Sequence, residues 1–164
     1  MLVALSSFSI LLSGCNTKDD VIEIFTRKTW KLSRLTDKDS SAQFYPGLWN
    51  YDNEAMIRSL NCLYNQENTF TLNFEGSELD GKLMGTTITG QGINTTINGT
   101  WDANGKSGSL SIRVKTTGSE NDALVRAFVN GLQNVYKYEG DANSLTLFYK
   151  DGNITRVMGF SHKR

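Results

Sequence analysis

Side chains able to act as nucleophile, base or metal ligand are scarce in this 164-residue chain, with two cysteines and one histidine. A Ser/His/Asp or Cys/His relay needs an imidazole beside its nucleophile. The single imidazole, His162, sits in the C-terminal tail and is read as solvated. No Cys/His cluster suits zinc, and no D-x-D-x-D-G loop suits calcium. The glycines fall in turns between strands rather than between a strand and a helix, so no phosphate cradle is expected. Glu75, Glu78 and Asp80 cluster after a strand. Paired carboxylates serve glycoside hydrolysis, but a cluster at a loop reads as a solvated rim. The expectation is no enzyme, no metal and no cofactor.

Cys15 is the exception. The preceding residues 1–14, MLVALSSFSILLSG, carry no charge. Their apolar stretch from Leu2 to Leu12 is shorter than the roughly 20 residues of a membrane span and has the length of a secretion leader. Leu12-Ser13-Gly14-Cys15 resembles the bacterial lipobox. That resemblance implies a thioether-linked diacylglycerol on the Cys15 sulfur and cleavage just before it. Several acyl chains, at about 0.8 kcal/mol per buried CH₂, make such an anchor effectively permanent. The positive n-region of a secretory leader is missing, which points to a start upstream. Residues 15–20 read as a lipidated flexible tether. Its Lys18-Asp19-Asp20 run resembles the surface-export signal of Bacteroides-type lipoproteins. The expected location is the outer membrane, anchored through Cys15 and exposed at the cell surface, with the periplasmic face as the alternative.

Removing residues 1–14 from 164 leaves 150, enough for one domain over 21–164 with a proper core. Seventeen basic and 17 acidic groups cancel, which argues against nucleic acid as the partner. With Cys15 acylated, Cys62 has no intrachain partner and reads as a small helical hydrophobe.

The elements that would position these residues are mostly strands. Asp20 caps a short helical turn through Val21, Ile22 and Phe25, and from Trp30 the apolar residues alternate. Residues 37–51 form an aromatic loop. Met56, Ile57, Leu60, Leu63 and Tyr64 then make one apolar helical face, capped by Asp52 or Asn53. Phe70, Leu72 and Phe74 alternate with polar neighbours, followed by strands over 82–90, 93–102 and 108–116. Gly90-Gln91-Gly92 and Asn104-Gly105 are expected to supply positive-φ turn residues. Ser119-Glu120-Asn121-Asp122 reads as a capping box for a helix through Leu124, Val125, Phe128, Val129 and Leu132. Strands near 134–139, 143–150 and 153–161 close the chain. Eight hairpin-linked strands with two inserted amphipathic helices predict an antiparallel up-and-down barrel. A two-sheet sandwich is the alternative.

The stretch Phe25-Thr26-Arg27-Lys28-Thr29-Trp30-Lys31-Leu32, a helical turn entering a strand at tryptophan, resembles the lipocalin or calycin architecture. Trp30 matches the tryptophan of the G-x-W motif, while Lys28 stands where the glycine would be. Together with the lipobox, this resembles the lipocalin-like lipoproteins of unknown function in Bacteroides-type bacteria. The resemblance implies that Trp30 plugs one barrel end and that a late-strand arginine, Arg156, lies over it.

What remains is binding. Phe70, Leu72, Phe74, Ile97, Trp101, Tyr136, Tyr138, Leu145 and Leu147 share the interior phase, where they either fill the barrel or line a site for a small apolar ligand or envelope lipid. Tyr45, Trp49 and Tyr51 form a second candidate surface, for a glycan or an envelope protein.

Overall fold

Antiparallel strands at 3.4 Å per residue with hairpin connections close most simply by pairing the last strand with the first. The chain does this. The computed structural model describes residues 18–163, in which β1 (Thr29–Asp37), β2 (Thr71–Leu79), β3 (Lys82–Gln91), β4 (Thr95–Asn104), β5 (Ser109–Gly118), β6 (Val135–Gly140), β7 (Ser144–Asp151) and β8 (Ile154–Lys163) form a closed barrel in sequence order. β8 returns antiparallel to β1 with Leu32 opposite Phe160. Three helices accompany the strands: α1 (Lys18–Phe25), α2 (Asn53–Asn65) and α3 (Ala123–Gln133). The anticipated turn at Val21 is thus a full helix, and it begins at Lys18, inside the stretch read as tether. Cys15 and the leader lie outside the described residues.

In an up-and-down barrel, alternate connections share an end. α2 in the β1–β2 connection and α3 in the β5–β6 connection therefore lie at one end, with the β3–β4 and β7–β8 turns. The chain enters through α1 at the other. Both ends are sealed by aromatics. At the entry end, the Phe25 ring lies 4.9 Å from Phe74, 5.0 Å from Trp101 and 4.8 Å from Tyr138. At the far end, Phe128 of α3 lies 6.1 Å from both Phe70 and Phe160. Between them Trp30 is fully buried, and its Nε1 donates to the Phe25 carbonyl at 3.2 Å.

Several local expectations are corrected. Tyr136 does not share the interior with Tyr138. A register shift between Val135 and Lys137 turns its ring outward, where it is 42% exposed, because a bulge moves the following residues to the opposite face. The positive-φ turn residues are not at Gly90–Gly92 or Gly105. The β2–β3 hairpin turns on Asp80 (φ 49°) and Gly81 (φ 72°), and the β4–β5 turn ends on Gly108 (φ 70°). Gly90 lies in β3, and a Cβ there would sit 2.7 Å from the Thr71 carbonyl oxygen. α3 is capped by Asp122, whose carboxylate accepts from Val125 N at 3.0 Å, rather than by Ser119.

α2 shows the largest difference. Ser59 and Leu63 are its buried residues. Ile57 (64% exposed) and Tyr64 (57% exposed), from its expected apolar face, point outward. The physical reason is that Ser59 makes the contacts that fix the helix, as described next.

Candidate functional site at the helical end of the barrel

Eight of the nine interior candidates are buried together: Phe70, Leu72, Phe74, Ile97, Trp101, Tyr138, Leu145 and Leu147. Rings in contact across the axis are the packing of a core. The Tyr138 hydroxyl is buried without a hydrogen-bond partner, and that burial raises its pKa.

Arg156 does not lie over Trp30. Its guanidinium stacks 3.5 Å above the Tyr45 ring, donates to Asp37 at 2.9 Å, and pairs with Asp151. The reason is position. Arg156 pairs with Asp37 at the finish of β1, whereas Trp30 lies near its start, opposite His162. The cation over Trp30 is Lys28, 5.3 Å from the ring, and His162 packs edge-on to it at 6.4 Å instead of standing free in solvent.

The aromatic loop is built into the fold. Leu35 N donates to the Gln43 carbonyl (2.9 Å), Tyr45 N to the Leu35 carbonyl (3.1 Å), and Leu48 joins the core. Its three aromatics divide accordingly. Tyr45 is half-buried beneath Arg156. Trp49 is half-buried, and its indole donates to Ser59 Oγ at 2.8 Å. Tyr51 is 86% exposed, and it and Asn50 hold φ of 63° and 51°. A bulky side chain in the left-handed region is a genuine outlier.

Two hollows open here. The first, about 380 Å³, is an aromatic groove whose wall includes Phe44, Tyr45, Trp49, Tyr51, Met56 and Leu60. The second, about 530 Å³, lies between α2 and the segment leading into α3, with the Ile93–Asn94 turn beside it. Trp49 and Asp52 line both.

A hydrogen-bond chain holds the two helices in place. Fully buried Ser59 receives the Trp49 indole and donates to Asp122 Oδ2 at 2.5 Å, while Asp122 Oδ1 caps α3. Glu120 accepts from Asn94 N and Asp122 N, both at 3.0 Å, tying the β3–β4 turn to α3. Cys62 borders the cleft, but burial, with Asp122 and Glu120 nearby, pushes its thiol pKa up. A thiol held protonated is a poor nucleophile. Among the described residues no group of three potential ligands could hold a metal ion. The arrangement offers stacking surfaces and hydrogen-bond donors. Ser59, Glu120, Asp122 and the groove residues Phe44, Met56 and Leu60 were not legible as a site. Ser59 within an apolar helical face was the one available signal.

A solved structure from Bacteroides vulgatus ATCC 8482, described as a DUF4847 family protein, is similar to this chain. The two share 28% identity, and the match covers 87% of this chain and 97% of that one with a TM-score of 0.61. No curated protein matches the chain. A family model described as a domain of unknown function, DUF4847, matches residues 16–162, so the chain belongs to the DUF4847 family.

Proposed function

We propose that the protein is a lipid-anchored envelope lipoprotein that binds carbohydrate in the aromatic groove beside α2, with the barrel as a rigid scaffold. The observation that carries this reading is Tyr51. A bulky residue in the left-handed conformation costs roughly 1–3 kcal/mol, and such strain concentrates at binding sites. Asn50 and Tyr51 form the centre of a turn closed by Asp52 N donating to the Trp49 carbonyl at 2.9 Å, and that turn presents the Tyr51 ring, 86% exposed, beside Trp49 and Met56. Planar rings at a groove rimmed by Asp52 and Asn53 suit the apolar faces and hydroxyls of a sugar.

A small apolar ligand or envelope lipid inside the barrel is the competing reading. Against it stand the Phe25, Phe74, Trp101 and Tyr138 rings, which pack on one another at the entry end and close that route into the barrel. The lipid anchor rests on the Leu12–Cys15 motif. The described chain enters the barrel through α1, at the end opposite the groove. The reading is of binding rather than catalysis, and the thiol that borders the larger hollow, Cys62, has its pKa pushed up by burial.

Tyr51→Gly separates strain from function. Relief of the left-handed backbone raises stability by about 1 kcal/mol, while loss of one stacking ring weakens oligosaccharide binding about fivefold, or about 1 kcal/mol. Thermal denaturation and a fluorescence titration read these two quantities. A variant that is less stable, or that binds as the parent does, contradicts the reading.

A further inference from the structure

The strand pairings leave one part of the barrel wall standing alone. The β1–β2 ladder covers only Thr71, Leu72 and Asn73 of β2, and the β3–β4 ladder only Thr87–Gln91 of β3. Beyond those rungs Ser77 pairs with Met84, Glu78 with Leu83 and Leu79 with Lys82. Residues 77–84 are therefore a two-stranded arm with no ladder partner on either side among the described residues. The arm turns on Asp80 and Gly81, whose positive φ suits the two-residue turns that follow strand twist. Trp101 holds its base, donating from the indole to the Glu75 carbonyl at 2.9 Å.

Side chains alternate across such a ribbon. Glu78 and Leu83 share one face, and Leu83 packs against the core. The other face carries Ser77, Leu79, Lys82 and Met84 and is open, with Leu79 60% and Met84 49% exposed. A two-stranded ribbon is only marginally stable in water, so two large apolar side chains turned outward on one call for an explanation.

The arm's position supplies it. β2 runs toward the end where the chain enters, so the arm projects from that end, where α1 packs against β2 and Thr26 bridges to Phe74. Cys15 lies three residues before Lys18, the first residue of α1. Three residues reach roughly 10 Å at most. An anchor on Cys15 therefore keeps the arm's end of the barrel beside the bilayer.

We propose that the arm rests its outer face on the membrane that holds Cys15, with Leu79 and Met84 reaching into the lipid interface. The inference rests on the lipid-anchor reading above and adds the surface that touches the bilayer. The backbone stays at headgroup level, because unpaired strand edges find no hydrogen-bond partners in hydrocarbon. Lys82, paired across from Leu79, keeps its ammonium among the headgroups. A second copy of the chain suits the arm less well, since two apolar side chains fall far short of the roughly 1,200 Å² that stable dimers bury. Charge does not select the lipid. Asp80 lies beside Lys82, and the neighbouring turns carry Lys106 and Asp141.

The test uses the full lipidated chain in vesicles of phosphatidylethanolamine and phosphatidylglycerol. In a Cys62→Ala background, an environment-sensitive fluorophore is attached at Leu79→Cys, at Met84→Cys, or at Asn153→Cys in the β7–β8 turn of the opposite end. Flotation reads the anchor, while quenching by brominated lipid and by aqueous iodide reads where each label sits. Labels at 79 and 84 are expected to be quenched by brominated lipid and to be roughly threefold less open to iodide than the label at 153. Adding Met84→Ser should about halve the protection at 79, whereas raising sodium chloride should leave it unchanged. Leu79 and Met84 are both exposed, so the variants should keep the parent melting temperature. Flotation with all three labels equally open to iodide overturns the membrane contact and leaves the anchor standing. Failure to float overturns both. Protection that grows with protein density, without quenching by brominated lipid, assigns the arm to a second copy and overturns the proposal.

Discussion

Trp30 shows how much one residue can fix. It carries the opening of β1, is fully buried, and is hydrogen-bonded to the carbonyl of Phe25, the residue that seals the entry end. Trp30→Ala is expected to cost roughly 3–5 kcal/mol, read as a lowered denaturant midpoint. An unchanged midpoint would remove the ring from the core. Lys31, its neighbour, points the other way and donates to the Gln66 carbonyl (2.9 Å) and to Thr69, tying the end of α2 to β1. Burial, reinforced by Lys163, lowers its pKa to about 8. The unfolded chain therefore binds more protons between about pH 8 and the ordinary lysine value of 10.5, so the Lys31 contribution grows more favourable as pH rises through that window. The stability difference between the parent and Lys31→Met should shift toward the parent between pH 7.5 and 9.5. A difference flat in pH would contradict this assignment. The alternation that placed Trp30, Leu72 and Phe74 inside was legible because each strand side chain has only two directions. Arg156 was not, because its partner depends on which end of β1 it faces across the closing pair of strands.

At the scale of elements, period-2 and period-3.6 patterns gave the strand order and the existence of α2 and α3, while faces and boundaries depended on irregularities. The bulge before Lys137 turned Tyr136 out, and a polar residue, Ser59, set the rotation of α2. Neither is visible as periodicity, since a bulge breaks it and a buried hydroxyl runs against it. The groove itself spans the β1–β2 connection, and a connection has no period to read. Its attachment to the barrel is testable. The Arg156 side chain is 12% exposed and holds Tyr45, Asp37 and Asp151 together. Arg156→Ala should cost about 2 kcal/mol, given two charge-assisted contacts and a stacked ring. It should also raise amide exchange within residues 43–51 before the rest of the barrel. Uniform exchange across the chain would show that the connection is held by other contacts.

For the molecule as a whole, the two ends of the barrel divide the work. Phe25 closes the end where the chain enters, and the helices at the other end are organised by Ser59, Glu120 and Asp122 around two open hollows. A closed barrel of this size either holds one small ligand or is filled by side chains. Rings pack on one another at both of its ends, and the two hollows described here lie outside the barrel wall. The most direct test is methyl-resolved NMR of the purified protein titrated separately with an oligosaccharide and with a fatty acid. The account predicts that the sugar shifts Met56 and Leu60 and leaves Ile97 and Leu147 unmoved, and that the fatty acid shifts neither pair. Saturable shifts at Ile97 and Leu147 on adding the fatty acid would contradict it and return the binding site to the barrel interior.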